Sequence, residues 1–272
     1  MSGDRQGMTE AEQTDVEDRS APRARIIYEV VRRQGDEELG RPVGSLFWSG
    51  LAGGITIMAS VIAEAGLLHK LPAELPLRQV VADFGYTVGF LMVILGRMQL
   101  FTEQTIVVVL PNMAAPSWDK LRVTARLWAI VFAANMLGAC LAAAVDVHLG
   151  LMGPELLASM LEVSGQLLHR GPLETLLQAI PAGFLIASVA WIRAGVEGAQ
   201  FWVVVVLTYT IAVCDFAHVV AGSAEAFLLV FAGQTGLGYA VGGIILPALI
   251  GNVIGGTGLF ALLAHAQVRE EM

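Results

Sequence analysis

Residues 215–231 read DFAHVVAGSAEAFLLVF. The stretch lies inside a long apolar region, yet it carries Asp215, His218 and Glu225, and a run of small residues at Ala221-Gly222-Ser223-Ala224. An ionisable side chain in hydrocarbon is expensive and persists only where it faces a protein interior or a water-filled path. Small-residue interruptions fit the same setting, because irregular backbone at membrane depth must be buried in protein or line a cavity. The stretch therefore reads as a broken membrane helix with a histidine at the break.

The rest of the chain agrees. Of its 272 residues 56% are hydrophobic and only 15% charged, against about 25% charged in a typical soluble domain. Apolar stretches recur from residue 43 to residue 265, so an all-α polytopic membrane protein is expected rather than a soluble domain. Residues 1–42 hold ten of the 24 acidic residues and seven of the 16 Lys and Arg, so the leading segment supplies −3 of the net charge of −8. Residues 1–24 are expected to be a disordered acidic tail. Residues 25–42 are expected to form an amphipathic helix with a stripe of Ile26, Ile27, Val30 and Val31. Such a helix would be solvated, or would lie on the membrane surface or across a neighbouring subunit. A transmembrane domain over 43–267 and a short C-terminus, 268–272, complete the division.

Six spanning regions are read at about 43–67, 80–112, 123–147, 172–193, 200–232 and 239–265. A straight span needs about 20 residues, so the over-long second and fifth regions are expected to be broken. The interruptions fall at Gly96-Arg97-Met98-Gln99 and in the opening stretch. The second of the first three spans thus matches the second of the last three. Asn135-Met-Leu-Gly138 echoes Asn252-Val-Ile-Gly255, and Gly53-Gly54-Ile55 echoes Ala182-Gly183-Phe184. Phe101-Thr102-Glu103 is set against Ser223-Ala224-Glu225 in the same scheme. Two three-helix repeats follow, and an odd number of spans in each inverts one against the other, an arrangement that places transport sites near the midplane. Eight cations, among them Arg41, Lys120, Arg122, Arg126 and Arg193, fall on the side of both termini, against Lys70, Arg78 and Arg170 opposite. That bias makes both termini cytoplasmic.

Several residues could carry chemistry. His218 at a break could offer a hydrogen bond or a proton to a small anion, whose bare charge is costly in a low-dielectric constriction while its neutral acid is not. Thr102 could serve solute or freed backbone. Glu103 and Glu225 are read as symmetry mates, each opening a half-helix whose dipole favours a carboxylate. Arg97 is a counter-ion candidate for one of them, and Asp215 a cap or partner near His218. Asn135 and Asn252 are expected to satisfy unpaired carbonyls at the breaks. No Walker loop, CxxC or HExxH motif is present, and Ser223 five residues from His218 does not by itself orient a base. No catalytic residue, cofactor, metal or nucleic-acid partner is expected.

Gln99-Leu-Phe-Thr102, Phe216-Ala-His218 and Gly251-Asn252-Val-Ile-Gly255-Gly256, each in its matching span, resemble the formate/nitrite transporter family over about residues 43–265. Glu-Glu-Leu-Gly-Arg-Pro at 37–42, Gly96-Arg97, Leu-Phe-Thr-Glu at 100–103 and Gly-Ser-Ala-Glu at 222–225 resemble a poorly characterised branch of it. The resemblance implies an aquaporin-like six-helix protomer in a bacterial inner membrane, a homopentamer with one pore per protomer, and small monovalent anions or their acids as solutes. It implies that His218 is the central pore histidine, Thr102 the threonine of the cytoplasmic-side loop, Phe101 the adjacent aromatic and Ile211 the occupant of an aromatic gate position. The chain departs from well-studied members at Ala217, where they carry Glu, and at Gly222 and Gly183, where they carry Asn. Their vestibule lysine finds no equivalent; His169 and Arg170 lie near its segment. The expected function is a proton-coupled channel or secondary transporter for such solutes. A neutral-solute pore with acidic groups excluding anions, and a non-conducting scaffold or sensor acting through the tail, are the alternatives.

Overall fold

A computed structural model describes Thr9 and residues 21–271. The tail expected to be disordered over 1–24 lies, apart from Thr9 and residues 21–24, outside the described residues. The described residues form ten helices and no strand: α1 Ala24–Leu39, α2 Val43–Lys70, α3 Arg78–Leu95, α4 Gln104–Ala114, α5 Trp118–Leu149, α6 Pro154–Gly165, α7 Pro172–Gly195, α8 Gln200–Val213, α9 Val219–Phe231 and α10 Leu237–Glu271. Five of them, α2, α3, α5, α7 and α10, are long and apolar enough to cross a membrane, and α4, α8 and α9 are shorter apolar helices. Their outward faces carry exposed Met92, Leu141, Trp202, Ile250 and Leu263, as hydrocarbon contact requires.

The second and fifth regions both break as the sequence predicts, the fifth at 214–217 just ahead of His218, but the small-residue run Ala221-Gly222-Ser223-Ala224 lies inside α9 and is not the interruption. α3 ends at Gly96 and Arg97, and α8 ends at Cys214 and Asp215. Arg97 (φ 57°) and Asp215 (φ 55°) are the two non-glycine residues with left-handed backbone among those described. Each closes its helix in the same way. Met98 N–H donates to Val93 O (3.0 Å) and Phe216 N–H donates to Ile211 O (2.9 Å). These are Schellman-type caps, built on residues for which the left-handed region costs roughly 1–2 kcal/mol.

One asparagine from a neighbouring span holds each break. Asn135 of α5 accepts from Phe101 N–H (2.9 Å) and donates to Gln99 O (2.9 Å) and Gly50 O (2.7 Å). Asn252 of α10 accepts from Val219 N–H (2.8 Å) and donates to Ala217 O (3.0 Å) and Ala179 O (2.8 Å). The amide is the side chain that can accept once and donate twice at one point. Gly54 and Gly183 make the approach possible: a Cβ on the first would strike Asn135 O, and one on the second Asn252 O. Gly50 likewise packs on Ala134 of its own chain. The two inverted repeats thus share the asparagine hydrogen bonds and helix caps that hold their breaks.

Three further sequence expectations need correction. Glu103 and Glu225 are not symmetry mates. Glu103 immediately precedes α4, whereas Glu225 lies in the second turn of α9, after Val219 has opened the helix. α1 is not freely solvated but packs on its own bundle, which the sequence reading did not weigh: Tyr28 and Val31 are buried there while Ile26 turns outward. The Tyr28 hydroxyl is 2.7 Å from His265 Nδ1 of α10. α6 lies in a segment read only as a connection; it starts at Pro154, whose ring fits the first helical turn, and packs beside α2 and α9.

Candidate pore site

Both breaks converge on one hydrogen bond. His218 is extended (φ −105°, ψ 124°) and stands immediately before α9, where its Nδ1 accepts the Ala221 N–H (3.3 Å). A neutral ring that accepts at Nδ1 carries its hydrogen on Nε2. Nε2 lies 2.7 Å from Thr102 Oγ1, so Nε2–H donates and the hydroxyl accepts. The threonine hydroxyl thus acts as acceptor in this bond. His218 is 2% exposed and Thr102 fully buried. Phe90 meets the imidazole edge-on, with ring centres 4.9 Å apart.

Two cavities approach this pair from opposite sides and share no lining residue. The first, about 80 Å³, has His218, Gly222 and Glu225 along α9, with Ile211, Glu64 and Arg170 around it. The second, about 410 Å³, lies under α1 and is lined by Arg97, Gln99, Glu103 and Arg193. Phe90, Leu100 and Thr102, none of which reaches either cavity, are completely or almost completely buried. They form an apolar partition interrupted by one hydroxyl and one imidazole.

The structure sorts the candidate residues. It brings His218 and Thr102 together and sets Ile211 in the wall beside them. Phe101 lies next in sequence but its ring turns to α5, against Trp128 (5.6 Å) and Phe132 (5.2 Å). Asn135 and Asn252 hold the breaks. Glu103 pairs with Arg193 of α7 (2.8 Å), both side chains nearly buried, rather than with Arg97. Asp215 pairs not with His218 but with Arg170 (2.9 Å), which also donates to Asp215 O. Arg170 thus occupies the wall of the first cavity, near the segment where a vestibule cation was sought.

Sequence reasoning missed Glu64, Asp83 and Tyr86, which join Glu225 around the first cavity. Glu64 carried the same signal as Glu225, a carboxyl group in an apolar span. Asp83 and Tyr86 gave a weaker one, visible only as an i, i+3 pair on α3 with Gln79 a turn before. Also missed was the chain of amides under α1. Gln104 donates to Gln99 (2.9 Å), and Gln99 donates to Glu38 (2.9 Å), which Arg41 holds.

An all-helical membrane protomer whose two broken spans meet at a buried imidazole–hydroxyl pair has the architecture of an aquaporin-like channel or transporter. Residues 25–266 match the family model described as formate/nitrite transporter. The chain is 36% identical over 256 residues to the inner membrane protein YfdC of Escherichia coli (strain K12), covering 94% of this chain and 82% of that protein. It is 29% identical over 252 residues to the uncharacterized transporter YrhG of Bacillus subtilis (strain 168), covering 88% and 92%. Its fold matches that of a pentameric formate channel with formate bound, with a TM-score of 0.72, 16% identity and coverage of 84% and 98%. It also matches an FNT family ion channel, with a TM-score of 0.73, 18% identity and coverage of 90% and 98%. The chain belongs to the formate/nitrite transporter family.

Proposed function

We propose that this protein is a homopentameric, multi-pass protein of a bacterial inner membrane. Both termini are cytoplasmic, and each protomer conducts a small monovalent anion or its weak acid past His218 and Thr102. The observation that carries the reading is the 2.7 Å contact between His218 Nε2 and Thr102 Oγ1, set between two cavities in an apolar partition. An anion in that partition loses its water and must be met by donors or lose its charge. The threonine hydroxyl offers a hydrogen, and the imidazole Nε2–H stands behind it. The two donors belong to opposite repeats, so a solute crossing between them is passed from one half of the protomer to the other. Family membership supports a small-anion solute; the pentamer seen in a relative of the same fold and the inner-membrane relative support assembly and location. The Arg and Lys bias supports the orientation.

Flux in proteoliposomes of the purified protein tests this. Formate, nitrite, acetate, lactate and hydrosulfide are offered at acid and near-neutral pH, with glycerol and water as neutral controls. Weak-acid flux that rises at low pH supports the reading and identifies the solute. Water or glycerol flux alone contradicts it in favour of a neutral-solute pore.

A further inference from the structure

We propose that the carboxyl groups of Glu225 and Glu64 form a proton-exchange site, giving a proton to the weak-acid solute, or taking one from it, beside His218. The proposal rests on the weak-acid reading above and assigns the source of the proton.

The cavity is built for this. Along α9, His218, Gly222 and Glu225 follow i, i+4, i+7 spacing and share one face of the helix; all three line the cavity. Gly222 leaves the way between imidazole and carboxyl open, since a Cβ there would meet nothing within 4 Å. Gln79, Asp83 and Tyr86 make a second stripe with the same spacing on α3, and Glu64 enters from α2. The volume of about 80 Å³ exceeds the roughly 10–15 Å³ that a single water needs.

Its polar groups are unequally satisfied. Gln79 donates to Asp83 (2.7 Å), while its contact with Glu64 is long (3.4 Å). The Glu225 carboxyl and the Tyr86 hydroxyl have no hydrogen-bond partner among the described residues, although Tyr86 is only 7% exposed and lines the cavity. Arg170 is the one cation among the described residues of the wall, and Asp215 already holds its guanidinium. α6 contributes Val163, α7 Thr175, and α10 Ile244 and Ala248. Glu64, Asp83, Asp215 and Glu225 therefore face Arg170, Tyr86 and His218, with acceptors in excess. Such a cavity takes up protons in preference to anions, because carboxylates sharing a poorly hydrated space cannot all be charged cheaply. An anion reaching it meets carboxylic acids. The O–H bond of Glu225 breaks as an O–H bond forms on the solute, and water at the cavity mouth returns a proton to the carboxylate left behind. In the opposite direction the carboxylate accepts the proton of the arriving acid.

The test uses the full-length protein in proteoliposomes with an entrapped pH indicator and formate as probe, or nitrite where formate does not pass. Glu225→Gln, Glu64→Gln and Glu225→Asp are compared with wild type, all checked for intact oligomers. The expected result is a loss of solute-linked proton uptake of about tenfold or more in Glu225→Gln. A flattened pH profile in both Gln variants and substantial recovery in Glu225→Asp are expected with it. Unaltered pH profiles in assembled Gln variants overturn the proposal. So does higher anion flux with the pH slope intact, which would make the carboxylates simple repellents. A wild-type protein that carries neither probe, nor acetate, lactate or hydrosulfide, overturns the weak-acid reading as well, and is told apart by the absence of any flux to compare.

Discussion

The two breaks share a backbone and differ in almost everything attached to it. Arg97 and Asp215 hold the same left-handed turn, and Asn135 and Asn252 make the same three hydrogen bonds. Yet where the second break places His218 the first places Leu100, as the shared asparagine contacts fix their register. His218 caps α9 with its own ring nitrogen. Leu100 cannot, and the chain after it tightens through Glu103 N–H to Leu100 O (3.1 Å) and Gln104 N–H to Phe101 O (3.0 Å) before α4 begins. The first break carries a nearly buried ion pair, Glu103 with Arg193, whereas the pair at the second, Asp215 with Arg170, leaves its carboxylate exposed. Symmetry thus belongs to the satisfaction of the backbone, which hydrocarbon makes compulsory. Chemistry is confined to positions that the backbone leaves free.

The comparison breaks most severely if the asparagines are removed. Asn135→Ala leaves Gln99 O and the Phe101 N–H unpaired, and Asn252→Ala leaves Ala217 O and the Val219 N–H unpaired, at about 1–3 kcal/mol per buried group. Thermal unfolding of the detergent-solubilised protein should show comparable, large losses for both. Tolerance at one site alone would show that the repeats do not share their scaffold. Next in size is Arg193→Met, which strands Glu103 and should cost about 3–5 kcal/mol. Adding Glu103→Gln should recover much of that loss, and the recovery would confirm that this asymmetry is a paired charge. The smallest effect is Arg97→Gly, which relieves the left-handed turn and should stabilise the protein by up to about 1 kcal/mol. Asp215→Gly should gain less, because it also gives up the Arg170 pair.

Much of this was legible in the sequence because hydrocarbon leaves few solutions. Over-long apolar segments imply breaks, and Asn135-x-x-Gly138 against Asn252-x-x-Gly255 gave the repeat register that the structure bears out. Glu103 and Glu225 misled because both follow a break within a few residues, and nearness to a break does not fix which residue opens the helix. His218 was legible as an isolated imidazole in an apolar run, but its partner was not. Thr102 lies 116 residues away, and only the convergence of two half-helices joins them. The cavity around Glu64, Asp83 and Tyr86 depends on the relative rotation of α2, α3 and α9, which periodicity within any one helix does not report. The path of α1 was hidden similarly: its stripe announced a buried face, and the bundle decided what buries it.

The most direct test of the central claim is a double-mutant cycle of weak-acid flux with His218→Ala, Thr102→Val and both together, in oligomers shown to be intact. If solute passes through the hydrogen-bonded pair, each single variant should cut flux and blunt its pH dependence. The double variant should then fall little further, because either change alone already disables the unit. Unchanged flux in both single variants, or losses that simply add, would contradict the account.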